Sequence, residues 1–375
     1  MFFDNASTTK IDEDILDNFK NINNEYFYNP GGLYSSSRNS KKFIEDCRKS
    51  ILEKLNGDGN LIFTGSASEA NNLALFGCLK KNMCKVLVSM GEHPSVYNTA
   101  LEIKNRGFDV EFVNLRQDGS VDLVDFENKM TSDVGLISIM HVSNETGAIN
   151  DISGLVEIAK SINPKVIFHC DGVQAVGKIE VDIDDLGVDM YTMSAHKIHG
   201  MKGVGALYFK KGISLKPIVF GGGQEQGLRS GTENLLGIYS LSKAIDNSVK
   251  VLEENFGNAK ELKDIFVASI SNSGLDYKIN SGDNCSPYIV SVGFAGCRAE
   301  TLLNMLSDKG VCVGNGSACS AKKMGNRILE NMKVSKDYIE GNLRISFSKY
   351  NTKAEVNILS NILIEIVKEY LSKVR

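Results

Sequence analysis

Short apolar runs separated by longer amphipathic stretches fill the middle of the chain. Residues 61–63, 86–88, 110–113, 136–140, 166–168, 190–192 and 204–208 each carry consecutive apolar or β-branched residues. Several are apolar almost throughout, as strands covered on both faces are. Between them, residues 67–80, 95–106, 121–130 and 152–162 show the apolar spacing of helices. Strand and helix alternate, which predicts an α/β fold whose sheet is mostly parallel and doubly wound.

The pattern changes after about residue 237. Helical stretches at 241–256 and 262–271 precede an apolar run at 288–294, a helix near 299–309, a short run at 311–313 and an amphipathic helix after Thr352. These predict a smaller α+β domain. We place the large domain at residues 15–255 and the small one at residues 1–14 together with 256–375. A chain of 375 residues is long enough for both.

Composition narrows the function classes. The chain is 42% hydrophobic and 23% charged, as ordinary globular proteins are. A formal net charge of −4 supplies no basic field for nucleic acid or an anionic membrane. No apolar run approaches the ~20 residues of a membrane span. The start, Met1-Phe2-Phe3-Asp4-Asn5, lacks a charged region followed by an apolar stretch, so a cytoplasmic location is expected. Cysteines stand at Cys47, Cys78, Cys84, Cys170, Cys285, Cys297, Cys312 and Cys319, none in a C-x-x-C pair. Free, mostly buried thiols and no metal site are expected.

Candidate chemistry sits where strands end. In Ser194-Ala195-His196-Lys197 a lysine follows an apparent strand. A lone lysine is ordinarily a surface residue, but one at a strand end in this fold can form a Schiff base with an aldehyde cofactor. Ser194 and His196 beside it could both reach a phosphate. Asp171, after the run 166–168, lies where open α/β sheets bind ligands. It could cap the next helix or hold the protonated ring nitrogen of a pyridine cofactor. The segment Thr64-Gly65-Ser66-Ala67-Ser68-Glu69 joins strand to helix. It reads both as a capping box and as a phosphate cradle at a helix N-terminus. Cys312 reads as a buried structural cysteine. Cys319 follows it in the small-residue loop Gly314-Asn315-Gly316-Ser317-Ala318. It is either an incidental loop thiol or a nucleophile able to reach a substrate.

The ordered set of motifs is recognisable. It comprises Asp4-Asn5-Ala6-Ser7-Thr8-Thr9, Asn29-Pro30, Glu92-His93, Met140-His141-Val142-Ser143-Asn144-Glu145-Thr146-Gly147, Asp171-Gly172-Val173-Gln174, Arg229-Ser230-Gly231-Thr232, Gly316-Ser317-Ala318-Cys319 and Arg344-Ile345-Ser346-Phe347. Together with residues 65–72 and 194–197 it resembles the cysteine desulfurases of the iron–sulfur assembly type, in the class V aminotransferase group.

The resemblance implies the fold type I pyridoxal-phosphate architecture, a homodimer and the cofactor pyridoxal 5′-phosphate. It implies L-cysteine as substrate and a sulfur-acceptor protein, either an iron–sulfur scaffold or a tRNA thiolation enzyme, as partner. By position, Lys197 is the Schiff-base lysine and His93 stacks on the cofactor ring. Asp171 pairs with the ring nitrogen, and Gln174 with the ring hydroxyl. Ala67, Ser68, Ser194 and His196 form the phosphate site, with Thr232 lent by the other subunit. Asn144 and Arg344 hold the substrate carboxylate, and Cys319 accepts sulfur as a persulfide. A selenocysteine lyase or a class V aminotransferase on the same scaffold is the alternative. Ser68 stands where the family often has Thr, and Gly31-Gly32-Leu33-Tyr34 replaces a common Ser-Ser-x-His stretch.

Overall fold

The computed structural model describes residues 1–80, 85–314 and 326–374. The chain begins with β1 (Phe2–Phe3), α1 (Glu13–Tyr26), α2 (Ser35–Lys54) and β2 (Asn60–Thr64). Helix and strand then alternate through α3 (Ala67–Cys78), β3 (Lys85–Ser89), α4 (Pro94–Asn105), β4 (Asp109–Val113), α5 (Leu123–Lys129), β5 (Val134–Ser138), α6 (Ile152–Ile162), β6 (Ile167–Asp171), α7 (Ile183–Leu186) and β7 (Met190–Ser194). β8 (Gly205–Phe209), α8 (Leu235–Lys250) and α9 (Leu252–Ser271) follow. The rest holds β9 (Tyr277–Ile279), β10 (Ile289–Phe294), α10 (Ala299–Asp308), β11 (Cys312–Val313), α11 (Arg327–Asn331), α12 (Lys336–Glu340), β12 (Asn342–Ser346) and α13 (Lys353–Val374).

The main sheet has seven strands in the order β2-β8-β7-β6-β5-β3-β4. It is parallel except for β8, which runs antiparallel to both β2 and β7. A parallel return needs a crossover of a dozen or more residues. Only the short segment 195–204 separates β7 from β8, so the chain turns straight back. Successive residues of a strand point to opposite faces, and both faces are covered here. Phe63, Leu87, Ile137 and Phe168 join a core with Ile51, Ile238 and Leu241. Ile62, Val86, Val88 and Leu136 join another with Leu73, Val96 and Ile103. That two-sided burial explains why these strands read as unbroken apolar runs.

A separate cluster gathers Phe3, Val290, Val292, Phe294, Leu343 and Ile345 with Phe266, Leu302 and Leu363. Here β9, β10 and β12 form an antiparallel sheet in the order β12-β10-β9.

Two local differences from the sequence reading have physical causes. Helices α1 and α2 were not anticipated, yet Ile15, Ile44, Cys47 and Ile51 bury them in the first core. The helices expected at 241–256 and 262–271 instead break at Val251, and α9 runs through Gly257. A glycine in a helix costs roughly 1 kcal/mol relative to alanine. Burial of Ala259, Leu262, Phe266 and Ile270 on the same helix outweighs it.

Candidate active site

β3 and β5 are neighbours in the sheet, but the chain leaves β3 toward β4 and β5 toward β6, on opposite sides. Such a reversal opens a crevice at the strands' carboxyl ends. A cavity of about 360 Å³ lies there. Ala67, Ser68, His93, Asn144, Asp171, Gln174, His196, Lys197 and Arg344 all line it. Ser194, buried at the end of β7, and Thr232, exposed after Gly231, are not on its wall in the single chain. Cys319 lies outside the described residues. Cys312, expected to be buried, is exposed on β11, a two-residue strand that among the described residues pairs with β1.

Each wall residue has a local reason for its place. Asp171 ends β6, where its carboxylate accepts from Asn71 Nδ2 at 2.8 Å and from the Val173 N–H at 3.1 Å. A buried carboxylate needs such donors. Asn71, one turn into α3, also donates to Ser95 Oγ at 2.9 Å. Ser95 in turn meets His93 Nδ1, through Oγ at 2.8 Å and through its N–H at 3.1 Å. A backbone N–H directed at Nδ1 leaves the ring proton on Nε2. Burial pushes the His93 pKa down, so the ring is neutral. Asn71 and Ser95 therefore tie Asp171 to His93. Asn71 lay within the motif read from the sequence, but only the fold brings it to Asp171.

Lys197 follows β7 in a tight turn, Ala195–Lys197. Its Nζ donates to the carbonyls of Ala6 and Ser7, both at 2.7 Å. Burial, then the nearby Arg344, lowers its pKa to about 8. The His196 pKa falls to about 4, chiefly by burial, and Nδ1 sits 3.2 Å from Thr8 Oγ1. Across the cavity Ser66 caps α3 by accepting from the Glu69 N–H at 3.2 Å. Gly205 of β8 packs against this turn. A Cβ there would stand 2.7 Å from the Ala67 nitrogen.

Arg344 comes from β12. It donates to Ser7 Oγ at 2.7 Å, to the Asn144 carbonyl at 2.9 Å and to Asp4 Oδ1 at 2.9 Å, with Glu145 Oε1 at 3.4 Å. Its Nε and Asn144 Oδ1 are buried without a hydrogen-bond partner among the described residues. Buried polar atoms are nearly always paired, so both point to a ligand. Asp4, Ser7 and Glu145 lay within motifs read from the sequence but were given no role, because two segments distant from Arg344 in the chain supply them.

Residues 1–359 match the aminotransferase class-V family. The chain belongs to that family. Cysteine desulfurase IscS 1 of Archaeoglobus fulgidus is 36% identical over 99% of this chain and 98% of its own. A solved NifS-like protein superposes with a TM-score of 0.92 at 32% identity, covering 98% of this chain and 99% of its own. SspA, solved in complex with cysteine, gives 0.82 at 28% identity over 94% and 99%. The fold is the fold type I pyridoxal-phosphate architecture of the family, and the cofactor is pyridoxal 5′-phosphate.

The cavity fits that group on its own evidence. The N-terminus of α3, with Ser68 and His196 beside it, suits a phosphate dianion. Asp171 is a buried carboxylate suited to a ring N–H. Lys197 supplies an amine poised to lose its proton.

Proposed function

We propose that the chain is a pyridoxal-phosphate-dependent cysteine desulfurase. It converts L-cysteine and the Cys319 thiol into L-alanine and a Cys319 persulfide, then passes the sulfur to an acceptor protein. The observation that carries this reading is one cavity holding Lys197, Asp171, His93 and Arg344 in a chain related end to end to cysteine desulfurases. The acceptor serves iron–sulfur cluster assembly or thiolation of tRNA or a cofactor.

Lys197 is the residue that holds the cofactor and moves the α-proton of the substrate. Ala67, Ser68, Ser194 and His196 hold its phosphate, Asp171 its ring nitrogen and Gln174 its ring hydroxyl. When bound, the cofactor withdraws electrons from the substrate α-carbon. Arg344 Nε, a buried donor without a partner among the described residues, takes the substrate carboxylate, and Asn144 would join it through Nδ2, which in the free site donates to Glu145 Oε1 at 2.9 Å. Neutral His93 offers Nε2–H at the ring face and can pass a proton. Cys319 as thiolate attacks the substrate sulfur. The C–S bond breaks, a proton reaches the β-carbon, and the sulfur stays on Cys319.

We read the enzyme as a cytoplasmic homodimer. Thr232 is exposed and does not line its own cavity, as expected of a phosphate contact lent to a second subunit. Among the described residues no helix is long and apolar enough to cross a membrane. Residues 15–255 form the cofactor-binding unit, and 1–14 with 256–375 carry the cysteine loop. The cluster uniting Phe3 with Leu262–Val367 supports this, although residue 255 falls inside α9.

The test is purified protein, its visible spectrum, and alanine and sulfide production from L-cysteine, with Cys319→Ser alongside. A cofactor band that responds to cysteine, with turnover lost in the variant, is the expected outcome. Wild-type turnover in Cys319→Ser would point to an aminotransferase or a direct lyase instead.

A further inference from the structure

Behind the cavity lies a second lysine that the reaction above leaves unused. After β6 the chain makes a short helical turn, with the Val176 N–H bonded to the Gly172 carbonyl and the Ile179 N–H to the Ala175 carbonyl. The turn puts Gln174 and Lys178 on one side, four residues apart. Lys178 is only 7% exposed. Its Nζ donates to Gln174 Oε1 at 2.6 Å. Among the described residues no carboxylate lies within ion-pair distance of it. The titratable groups around it are Lys197, His199, Tyr288 and Lys349, which share its small adjoining cavity, with His196 and Arg344 beyond. A lysine costs much to bury without a counter-ion, so its retention here calls for a role.

The other end of the Gln174 amide supplies one. Gln174 Nε2 donates to the Ala6 carbonyl at 2.9 Å. A primary amide carries two N–H donors, so one remains for the cavity that Gln174 lines. An amide can rotate by half a turn at little steric cost, exchanging donor for acceptor. The charged ammonium has donors and no acceptor, so beside Oε1 it opposes that rotation, as the Ala6 carbonyl does beside Nε2.

We propose that Lys178 is a positioning residue that locks the Gln174 amide with its N–H side toward the cofactor's ring hydroxyl. The inference rests on the cofactor site proposed above. With the lock in place the ring oxygen meets a donor and is stabilised as the anion. Without it only the Ala6 carbonyl holds the amide, and each time Oε1 turns to the ring oxygen the anion is disfavoured.

The test uses the holoenzyme and reads the pH midpoint of the visible cofactor band, with no turnover needed. Lys178→Met, of similar length and apolar, should move that midpoint upward by about one pH unit, the size of one lost charge-assisted hydrogen bond. In a Gln174→Ala background the same substitution should move it no further, because Lys178 acts through that amide. Lys178→Gln carries the same measurement should Lys178→Met unfold. An unchanged midpoint in the single variant would overturn the proposal. So would an equal shift in both backgrounds, which would mean that Lys178 acts by its charge alone. A wild-type protein that takes up no pyridoxal phosphate would refute the cofactor site itself, a separate outcome.

Discussion

Gly314 lies against the guanidinium of Arg344 and the Asp4 carboxylate that pairs with it. A Cβ at position 314 would stand 2.9 Å from Nη2 and 3.0 Å from Nε. The two residues also exchange backbone hydrogen bonds, Gly314 N–H to the Arg344 carbonyl at 2.9 Å and the reverse at 2.7 Å. The φ of Gly314 is not in the left-handed region, so the position demands space and not backbone freedom. Gly314→Ala should push the guanidinium off its carboxylate-binding position. The loss of a charge-assisted contact, about 1.5–3 kcal/mol, corresponds to a roughly 10- to 100-fold weaker grip on cysteine. Titrating the cofactor band with cysteine checks this, and the band without cysteine should be unchanged.

Asn71 is the main donor to Asp171 from outside its own loop. Asn71→Leu should leave the Asp171 carboxylate short of one bond and free Ser95 and His93 from their tie. A buried acceptor left unpaired costs about 1–3 kcal/mol. Cofactor affinity should fall about 10-fold or more, measured as the dissociation constant for pyridoxal phosphate. A variant with wild-type affinity would show that Asp171 needs no help.

Lys178 links stability to pH. Burial first, then Lys197 and Arg344, lowers its pKa in the fold to about 7, from 10.5. Between these values the unfolded chain holds a proton that the native state has released. Native stability therefore rises with pH across that window, and the penalty is fully present below it. Unfolding of the cofactor-free protein in urea, compared between wild type and Lys178→Met, isolates this group. The difference should shift in favour of wild type by about 1.4 kcal/mol per pH unit from pH 7 upward. A flat difference would mean that the lysine is not desolvated.

Arg48 and Glu225 form a buried bidentate pair, both bonds at 2.9 Å, and Glu225 also accepts from the Phe63 N–H at 2.7 Å. The pair fastens the segment leading to Thr232 onto α2 and β2. Glu225 sits at φ 47°, an unfavourable backbone that this anchoring holds. Glu225→Ala leaves Arg48 with only the more exposed Glu45 as ion partner and unpairs the Phe63 N–H, and should cost about 1–3 kcal/mol in urea unfolding. The double variant Arg48→Met/Glu225→Leu should recover most of that loss. If it does not, the backbone and not the charge is what Glu225 secures.

The sequence by itself determined the alternation of buried strands and amphipathic helices, because strands covered on two faces must be apolar at every position. It also identified the chemical groups at strand ends, Asp171 and Lys197 above all, since their motifs are contiguous. Tertiary structure decided what is not contiguous. The antiparallel turn of β8 depends on the lack of a crossover, and the burial of α1 and α2 depends on α8 lying beside them. Asn71 reaches Asp171 across 100 positions, and Asp4 and Ser7 reach Arg344 from the far end of the chain. Lys178 looks like an ordinary solvated lysine until the fold closes over it. Local pattern encodes which face of an element is apolar. Partners distant in the chain meet only through the packing of elements, which no local period records.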